Sequence, residues 1–181
     1  KVVRFAESAV RAMGRTARGV RGIKLAPDHR LISLVVPKEG SKILTVSENG
    51  YGKRSETQEF PVKGRGTKGV IGMTMSERNG SLVGAEQVWD GDEMMLISNQ
   101  GTAVRTRVEE VSVQGRNTQG VRVIRTREGE ALVSVSRIAE DDVEATEIQA
   151  SPDGVAESAA PAAEPSDANG SAAEGDEDTG E

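Results

Sequence analysis

Two features recur along the chain with a shared period of about 50 residues. The turn motif G-R-x-x-x-G-V begins at Gly14, Gly64 and Gly115, so its copies are 50 and 51 residues apart. An arginine recurs with the same spacing, at Arg4, Arg54 and Arg105. Because two independent features share one period, the sequence predicts a fold built from a repeated structural unit.

Between the recurring features the sequence consists of short runs rich in β-branched and apolar residues. The predicted strands are RLISLVV, SKILTVS, SLVGAEQV, EMMLISN and ALVSVSRI. Turn signals such as Asn49-Gly50 and Asn79-Gly80 bound them. About four strands fit in each unit, and four-stranded units at such a period indicate an all-β, propeller-like fold.

The predicted propeller is incomplete within this sequence. Residues 1–139 hold fewer than three units, which is too few to close a ring. The sequence also starts at Lys1, inside an apolar run and without a methionine. We therefore expect a piece of a longer protein, in which the strand at Val2–Phe5 forms an unpaired edge.

The second turn motif also spells G-x-G-x-x-G, at Gly64, Gly66 and Gly69. A dinucleotide-binding turn needs a helix directly after it, and VIGMTM shows no helical stripe. The middle glycine is absent from the other two copies. The pattern therefore predicts no nucleotide site, and the outer glycines are interpreted as positive-φ turn residues.

Charge divides the chain into two predicted parts. All 23 Lys and Arg lie in residues 1–139, which carry a net charge of +8. Residues 140–181 contain 14 acids and no base, and they are rich in Ala, Ser, Gly and Pro. We expect residues 1–139 to form the folded body and residues 140–181 a disordered acidic tail, since such a composition cannot bury enough apolar surface to fold.

The composition gives little support to catalysis. The sequence has no cysteine, so disulfides and thiolate metal sites are excluded. His29 is the only histidine, and it lies in a predicted loop without a nucleophile beside it. The acids of WDGDE lack calcium-loop spacing and are interpreted as a solvated turn. No catalytic, cofactor or metal site is predicted.

No apolar run is long enough to cross a membrane and no signal peptide is visible, so we expect a cytoplasmic protein without a membrane partner.

A basic body with few aromatic residues favours duplex DNA as the ligand. Backbone contacts need only Arg, Lys and turn amides, whereas single-strand binding needs aromatic platforms. The predicted DNA-binding residues are Arg4, Arg11, Arg15, Arg18, Arg21, Lys24, Lys53, Arg54, Lys63, Arg65, Lys68, Arg105, Arg107, Arg116, Arg122 and Arg125. A protein-binding scaffold is the alternative of another class, although protein interfaces favour Tyr and Trp.

The sequence resembles the C-terminal domain of the bacterial DNA gyrase A subunit, of proteobacterial type. The features that carry the resemblance are the three turn motifs, the stretches NGYGKR and QGTAVR, the run VQGRNTQGV followed by IRT, and the acidic tail. The resemblance covers residues 1–139 and implies the last part of a six-bladed β-pinwheel around which duplex DNA wraps. It implies a role in ATP-dependent negative supercoiling, with ATP and magnesium used elsewhere in the holoenzyme.

The same resemblance implies two further partners, a chromosome-associated location and one alternative family. The partners are the gyrase B subunit and a second A subunit, both bound through an N-terminal part that is missing from this sequence. The first-blade motif Q-R-R-G-G-K-G is absent. Because that motif distinguishes gyrase, the C-terminal domain of the topoisomerase IV A subunit remains an alternative.

Truncation after Ile138 is expected to tighten binding to duplex DNA. The tail is tethered to a basic body, so its carboxylates reach an effective concentration on the order of millimolar at the same cations that phosphates need. Affinity measured at low and moderate salt should rise on truncation, with a steeper salt dependence. Unchanged affinity at both salts would leave the tail only a solubilising role.

Overall fold

The computed structural model describes residues 1–140, and the described part is all-β as predicted. Its strands are β1 (Lys42–Ser47), β2 (Tyr51–Glu56), β3 (Leu82–Val88), β4 (Glu93–Ser98), β5 (Ala103–Arg107), β6 (Val121–Arg122) and β7 (Leu132–Ile138). Short 3₁₀ turns lie at Glu7–Ala9, Thr57–Glu59 and Val108–Glu110. Within residues 1–140 no helix has the length and apolar character needed to cross a bilayer. The predicted tail, apart from Glu140, lies outside the described residues.

Two antiparallel sheets repeat one arrangement. The first has the order β3-β1-β2-β6 and the second the order β5-β4-β7. Strands β4, β5 and β7 follow β1, β2 and β3 by one period, so the sheets are successive blades. The fourth strand of the first blade, β6, belongs to the following repeat and pairs Tyr51 with Arg122 and Gly52 with Val121. A blade is therefore completed by its neighbour.

The core lies between the two blades. Leu44, Val46 and Val88 of the first blade and Met94 and Leu96 of the second are fully buried. In β4 the buried residues alternate with less buried ones, which is the two-residue period of a strand. Each such side chain contributes about 1.5–3 kcal/mol on burial, so the contact between blades carries much of the stability.

In the second and third turn motifs, the second glycine allows the turn to touch the preceding repeat. Val2 and Val70 exchange two backbone hydrogen bonds of 2.8 and 2.9 Å. Gly69 and Gly120 have positive φ, and a Cβ on Gly120 would lie 2.6 Å from the carbonyl oxygen of Gly52. A side chain here is excluded both by conformation and by space. The first glycines, at positions 14, 64 and 115, do not have positive φ, so that part of the interpretation is wrong.

The recurring strand arginine holds the 3₁₀ turn of the next repeat. Arg4 donates from Nη1 to the carbonyl oxygens of Thr57 and Phe60, at 2.8 and 3.2 Å. One period later, Arg54 donates from Nε to Val111 at 2.6 Å and from Nη2 to Glu109 at 3.1 Å. A guanidinium group is suited to this role because its donors form a rigid planar fork.

Two predictions about the first repeat are wrong. The segment RLISLVV forms no strand, and Leu34 and Val36 are 80% and 74% exposed. The segment lies one period before β3, and β3 is paired with β1. Residues 1–140 contain no strand that corresponds to β1 in this repeat, so the segment has no strand to pair with there. The segment Val2–Phe5, expected to be an unpaired edge, instead bridges Val70 and Val62.

Replacing Arg54 with alanine is expected to destabilise the folded body by about 2–3 kcal/mol, because buried carbonyl oxygens lose their donors. The Arg54 side chain is 8% exposed. Arg107→Ala is the control, since that side chain is 69% exposed and lies 3.8 Å from Glu109. It should cost under about 1 kcal/mol. Denaturant unfolding measures both, and equal losses would contradict the assigned role.

Candidate nucleic-acid interface

Most of the predicted cations lie on the surface. The exposed members are Arg11, Arg15, Arg18, Arg21, Lys24, Lys63, Arg65, Lys68, Arg105, Arg107, Arg122 and Arg125. Arg4 and Arg116 are partly buried. Those in and around the turn motifs lie in loops outside the blades, where a large ligand can reach them.

Several of these side chains have no protein partner in the part of the chain that the structure describes. Residues 1–140 offer no side-chain hydrogen bond or ion pair to Arg11, Arg15, Arg18, Arg21, Lys24, Lys63, Lys68 and Arg125. Arg18 and Lys68 occupy the same position in successive turn motifs, where the third copy has Gln119. An unpaired surface cation keeps its full charge for an incoming anion.

The first arginine of the turn motif has a structural role that sequence reasoning missed. Arg65 donates from Nη1 to the carbonyl oxygen of Arg21 at 3.4 Å, and Arg116 donates from Nη1 to that of Ile71 at 3.1 Å. Arg21 and Ile71 occupy the same position in successive repeats. Each such arginine therefore braces the preceding turn, although Arg65 as a whole remains exposed.

Lys53 and Arg54 are removed from the predicted interface, because both are buried. Lys53 is 0% exposed and donates from Nζ to the carbonyl oxygen of Gly115 at 2.7 Å. Burial lowers the pKa of Lys53 to about 8, and the nearby carboxylate of Glu59 opposes that shift. The other repeats have Val3 and Val104 at this position. A comparison of the three copies could thus have identified it as a buried position.

The acids of WDGDE pair with basic side chains rather than with solvent alone. Asp90 accepts from Lys42 at 2.9 Å and also pairs with Arg54. These contacts, that of Lys42 foremost, lower the pKa of Asp90. Asp92, 2% exposed, accepts from Arg137 at 2.9 Å, so the interpretation of a solvated turn is wrong for this residue.

Two of the predicted DNA-binding cations, Arg105 and Arg107, lie close to acidic side chains. Glu93 forms an ion pair with Arg105, which is about a third exposed. Arg107 lies 3.8 Å from Glu109 but remains largely exposed. Among residues 1–140 no cluster of three or more acids, histidines or cysteines is arranged to hold a metal ion.

Arg78, which lies outside the predicted set, is an exposed basic residue that contacts an aromatic ring. The guanidinium group of Arg78 lies 4.7 Å from the centre of the Tyr51 ring, and that of Arg122 lies 5.4 Å from it. Arg78 has Asp28 and Gly129 at its repeat positions, so the period did not point to it. The turn signal Asn79-Gly80 predicted a loop here, but it did not predict that Arg78 would lie over the Tyr51 ring.

The repeated blades, the exchanged turn strands and the exposed cations define a basic repeat domain of the β-propeller class. A family model described as "DNA gyrase C-terminal domain, beta-propeller" matches residues 1–38, 41–88 and 92–139. The chain therefore belongs to the DNA gyrase C-terminal domain family. The three matched segments coincide with the three repeats found in the sequence.

Curated relatives agree with this assignment. The chain is 57% identical to the DNA gyrase A subunit of Salmonella typhimurium over 180 residues, which is 98% of this chain. It is 52% identical to the DNA gyrase A subunit of Pseudomonas aeruginosa over 169 residues, or 91% of this chain. The chain spans 18% of the length of each of these relatives.

Two solved structures share the fold. One is a structure of the DNA gyrase A C-terminal domain, with a TM-score of 0.69 and 34% identity, covering 75% of this chain and 46% of that one. The other is the C-terminal domain of DNA topoisomerase IV, with the same TM-score of 0.69 and 22% identity, covering 81% and 48%. At that identity the second likeness concerns the fold alone.

Lys53→Val, which introduces the residue of the other two repeats, is expected to preserve stability at neutral pH and to leave duplex affinity unchanged. Replacing a buried charge with an apolar side chain is often neutral or stabilising. The pKa of Lys53 is lower in the folded chain than in the unfolded one. The unfolded state therefore binds more protons between pH about 8 and 10, and wild-type stability should rise relative to the variant across that window.

Unfolding free energies measured from neutral to alkaline pH test the stability of both proteins, and a binding isotherm tests the interface. A loss of duplex affinity in the folded variant would return Lys53 to the interface.

Proposed function

We propose that this chain binds duplex DNA through the phosphate backbone, without sequence preference. The observation that carries the proposal is the set of exposed cations without protein partners, which recurs at successive turn motifs of a body with a net charge of +8. Cations of this kind contact phosphates in any sequence. No helix that could enter a major groove lies within residues 1–140.

Burial of the aromatic side chains favours a duplex over a single strand. Tyr51 and Phe60 are 4% and 3% exposed, and Phe5 is partly buried. Trp89 is also partly buried, with the guanidinium group of Arg137 4.6 Å from its ring centre. Single-strand binding proteins stack bases on exposed aromatic rings, and residues 1–140 present none at a repeated position.

The wider role follows from family membership and is likewise proposed. The matched relatives are DNA gyrase A subunits by name, which supports wrapping of duplex DNA by this domain and a contribution to ATP-dependent negative supercoiling. In that context its partners are the gyrase B subunit together with a second A subunit. ATP and magnesium would act elsewhere in the holoenzyme, outside this chain. The protein would work in the cytoplasm, associated with the chromosome.

Two alternatives have weaker support. A place in topoisomerase IV rests on a likeness of fold at 22% identity. A protein-interaction scaffold would present exposed aromatic or apolar side chains as its anchors. The exposed apolar segment around Leu34 belongs to an unpaired strand position and not to the turn motifs.

Duplex affinity is expected to fall steeply with salt. If about six phosphates are contacted, log K should decrease with log salt at a slope of roughly −5, irrespective of DNA sequence. Isotherms at several salt concentrations on two unrelated duplexes measure this slope. A salt-insensitive affinity, or a preference for one sequence unrelated to its bendability, would refute the proposal.

A matched pair of triple variants locates the interface in the same assay. Arg15→Gln, Arg18→Gln and Lys68→Gln together should flatten the slope by roughly 2–3, about one per lost phosphate contact. The control replaces three exposed cations away from the turn motifs, Arg30, Lys38 and Arg127, with glutamine. Equal changes in both triple variants would show that net charge alone, rather than the turns, determines binding.

A further inference from the structure

Two arginines contact one buried tyrosine, and a third arginine lines the same cleft. Arg122 donates from Nη2 to the hydroxyl oxygen of Tyr51 at 2.8 Å, and Arg78 lies over the same ring. Arg125 completes the lining of a cleft of about 320 Å³, together with Asn49 and Thr126. Hydrogen bonding from Arg78 and then from Arg122 lowers the pKa of Tyr51.

The cleft contains three cations and no counter-ion of its own. Its lining has no Asp or Glu. Within residues 1–140 no salt bridge involves Arg78, Arg122 or Arg125, whereas Arg54, Arg105 and Arg137 each pair with a carboxylate. Like charges that converge without an anion repel one another. An oxyanion in the cleft would remove that repulsion and accept the free guanidinium donors.

The surrounding backbone fixes the geometry of the cleft. The amides of Val123 and Ile124 both donate to the carbonyl oxygen of Gly50, at 2.8 and 3.2 Å, which holds the Arg122–Arg125 segment against the β1–β2 turn. Asn49 donates from Nδ2 to the carbonyl oxygens of Glu77 and Arg78, at 3.2 and 3.3 Å. The segments that carry the three arginines are thus both tied to the β1–β2 turn.

The repeat does not require this cluster. The positions of Arg78 hold Asp28 and Gly129 in the other copies, and those of Tyr51 hold Lys1 and Thr102. The strand arginine recurs because each blade needs it, but the cleft occurs once in the described residues. Its three arginines therefore need an explanation other than the assembly of blades.

We propose that the cleft between Tyr51, Arg78, Arg122 and Arg125 is a binding site for a single phosphate group. The guanidinium groups of Arg78 and Arg125 contact its oxygens directly, and Tyr51 orients Arg122 toward it. Because Arg122 follows the third turn motif by one residue, the phosphate can belong to a duplex held at that turn. If the ligand is a DNA phosphate, the inference rests on the proposed function. A free phosphate ion would bind to the same arginines in the same way.

Titration with inorganic phosphate at constant ionic strength, balanced with chloride, tests the site in the full chain. Tyr51 is the only tyrosine, so its ring signals in a nuclear magnetic resonance spectrum report on the cleft without ambiguity. We expect a saturable shift of these signals. The variant Arg78→Gln/Arg125→Gln should bind phosphate at least tenfold more weakly. The control Arg30→Gln/Lys38→Gln, with the same loss of charge, should bind as the wild type does.

A second arm identifies the source of the phosphate. If the ligand is a backbone phosphate, duplex DNA should shift the Tyr51 signals and prevent a further shift by inorganic phosphate. If duplex DNA binds elsewhere and leaves Tyr51 responsive, the site takes free phosphate. Both results support an oxyanion site.

Three results would overturn the inference: no saturable response, the same response to chloride alone, or equal weakening in the two double variants. Both double variants replace exposed side chains, and unchanged backbone signals outside the cleft verify their folding. Salt-dependent duplex binding, combined with no Tyr51 response to either duplex DNA or inorganic phosphate, would refute this inference alone. A saturable phosphate response without duplex binding would refute the proposed function alone.

Discussion

Contact of the second and third turn motifs with the strand of the preceding repeat determines most of this structure. The backbone hydrogen bonds between Val2 and Val70 recur one period later between Gly52 and Val121. They form only because Gly69 and Gly120 lack a side chain where the two backbones meet. Since the fourth strand of a blade comes from the next repeat, stability depends on interfaces between neighbours. The same contact fixes where each turn, with its cations, lies on the surface.

Strands with a local sequence signature could be predicted from sequence, whereas the strand that one repeat contributes to the sheet of another could not. Alternating apolar residues and turn signals such as Asn49-Gly50 identified β1, β3, β4 and β7, because strand propensity and turn chemistry are local properties. The two-residue strand β6 has no such signature and is defined only by its partner, β2. The segment around Leu34 shows the converse, since its pattern is that of a strand but no strand within residues 1–140 pairs with it.

Recurrence of a residue identifies what every blade needs, which is not the same as what binds a ligand. Arg4 and Arg54 recur because each holds a 3₁₀ turn of the next blade, and Arg65 and Arg116 recur because each braces the preceding turn. From sequence alone these arginines look like surface cations. Their structural role becomes visible only when the carbonyl acceptors are placed, and those lie 44 to 57 residues away.

The cations that remain fall into two groups with different consequences for a bound duplex. Exposed residues at equivalent turn positions, such as Arg18 and Lys68, provide similar contacts at regular intervals, and contacts of this kind permit a duplex to slide along its own axis. The arginines around Tyr51 are concentrated at one place and have fixed geometry. A phosphate held there would lose that freedom, because moving the duplex by less than one phosphate spacing would break several charge-assisted hydrogen bonds at once. A domain built from similar blades could in this way hold DNA in a defined register without reading any base.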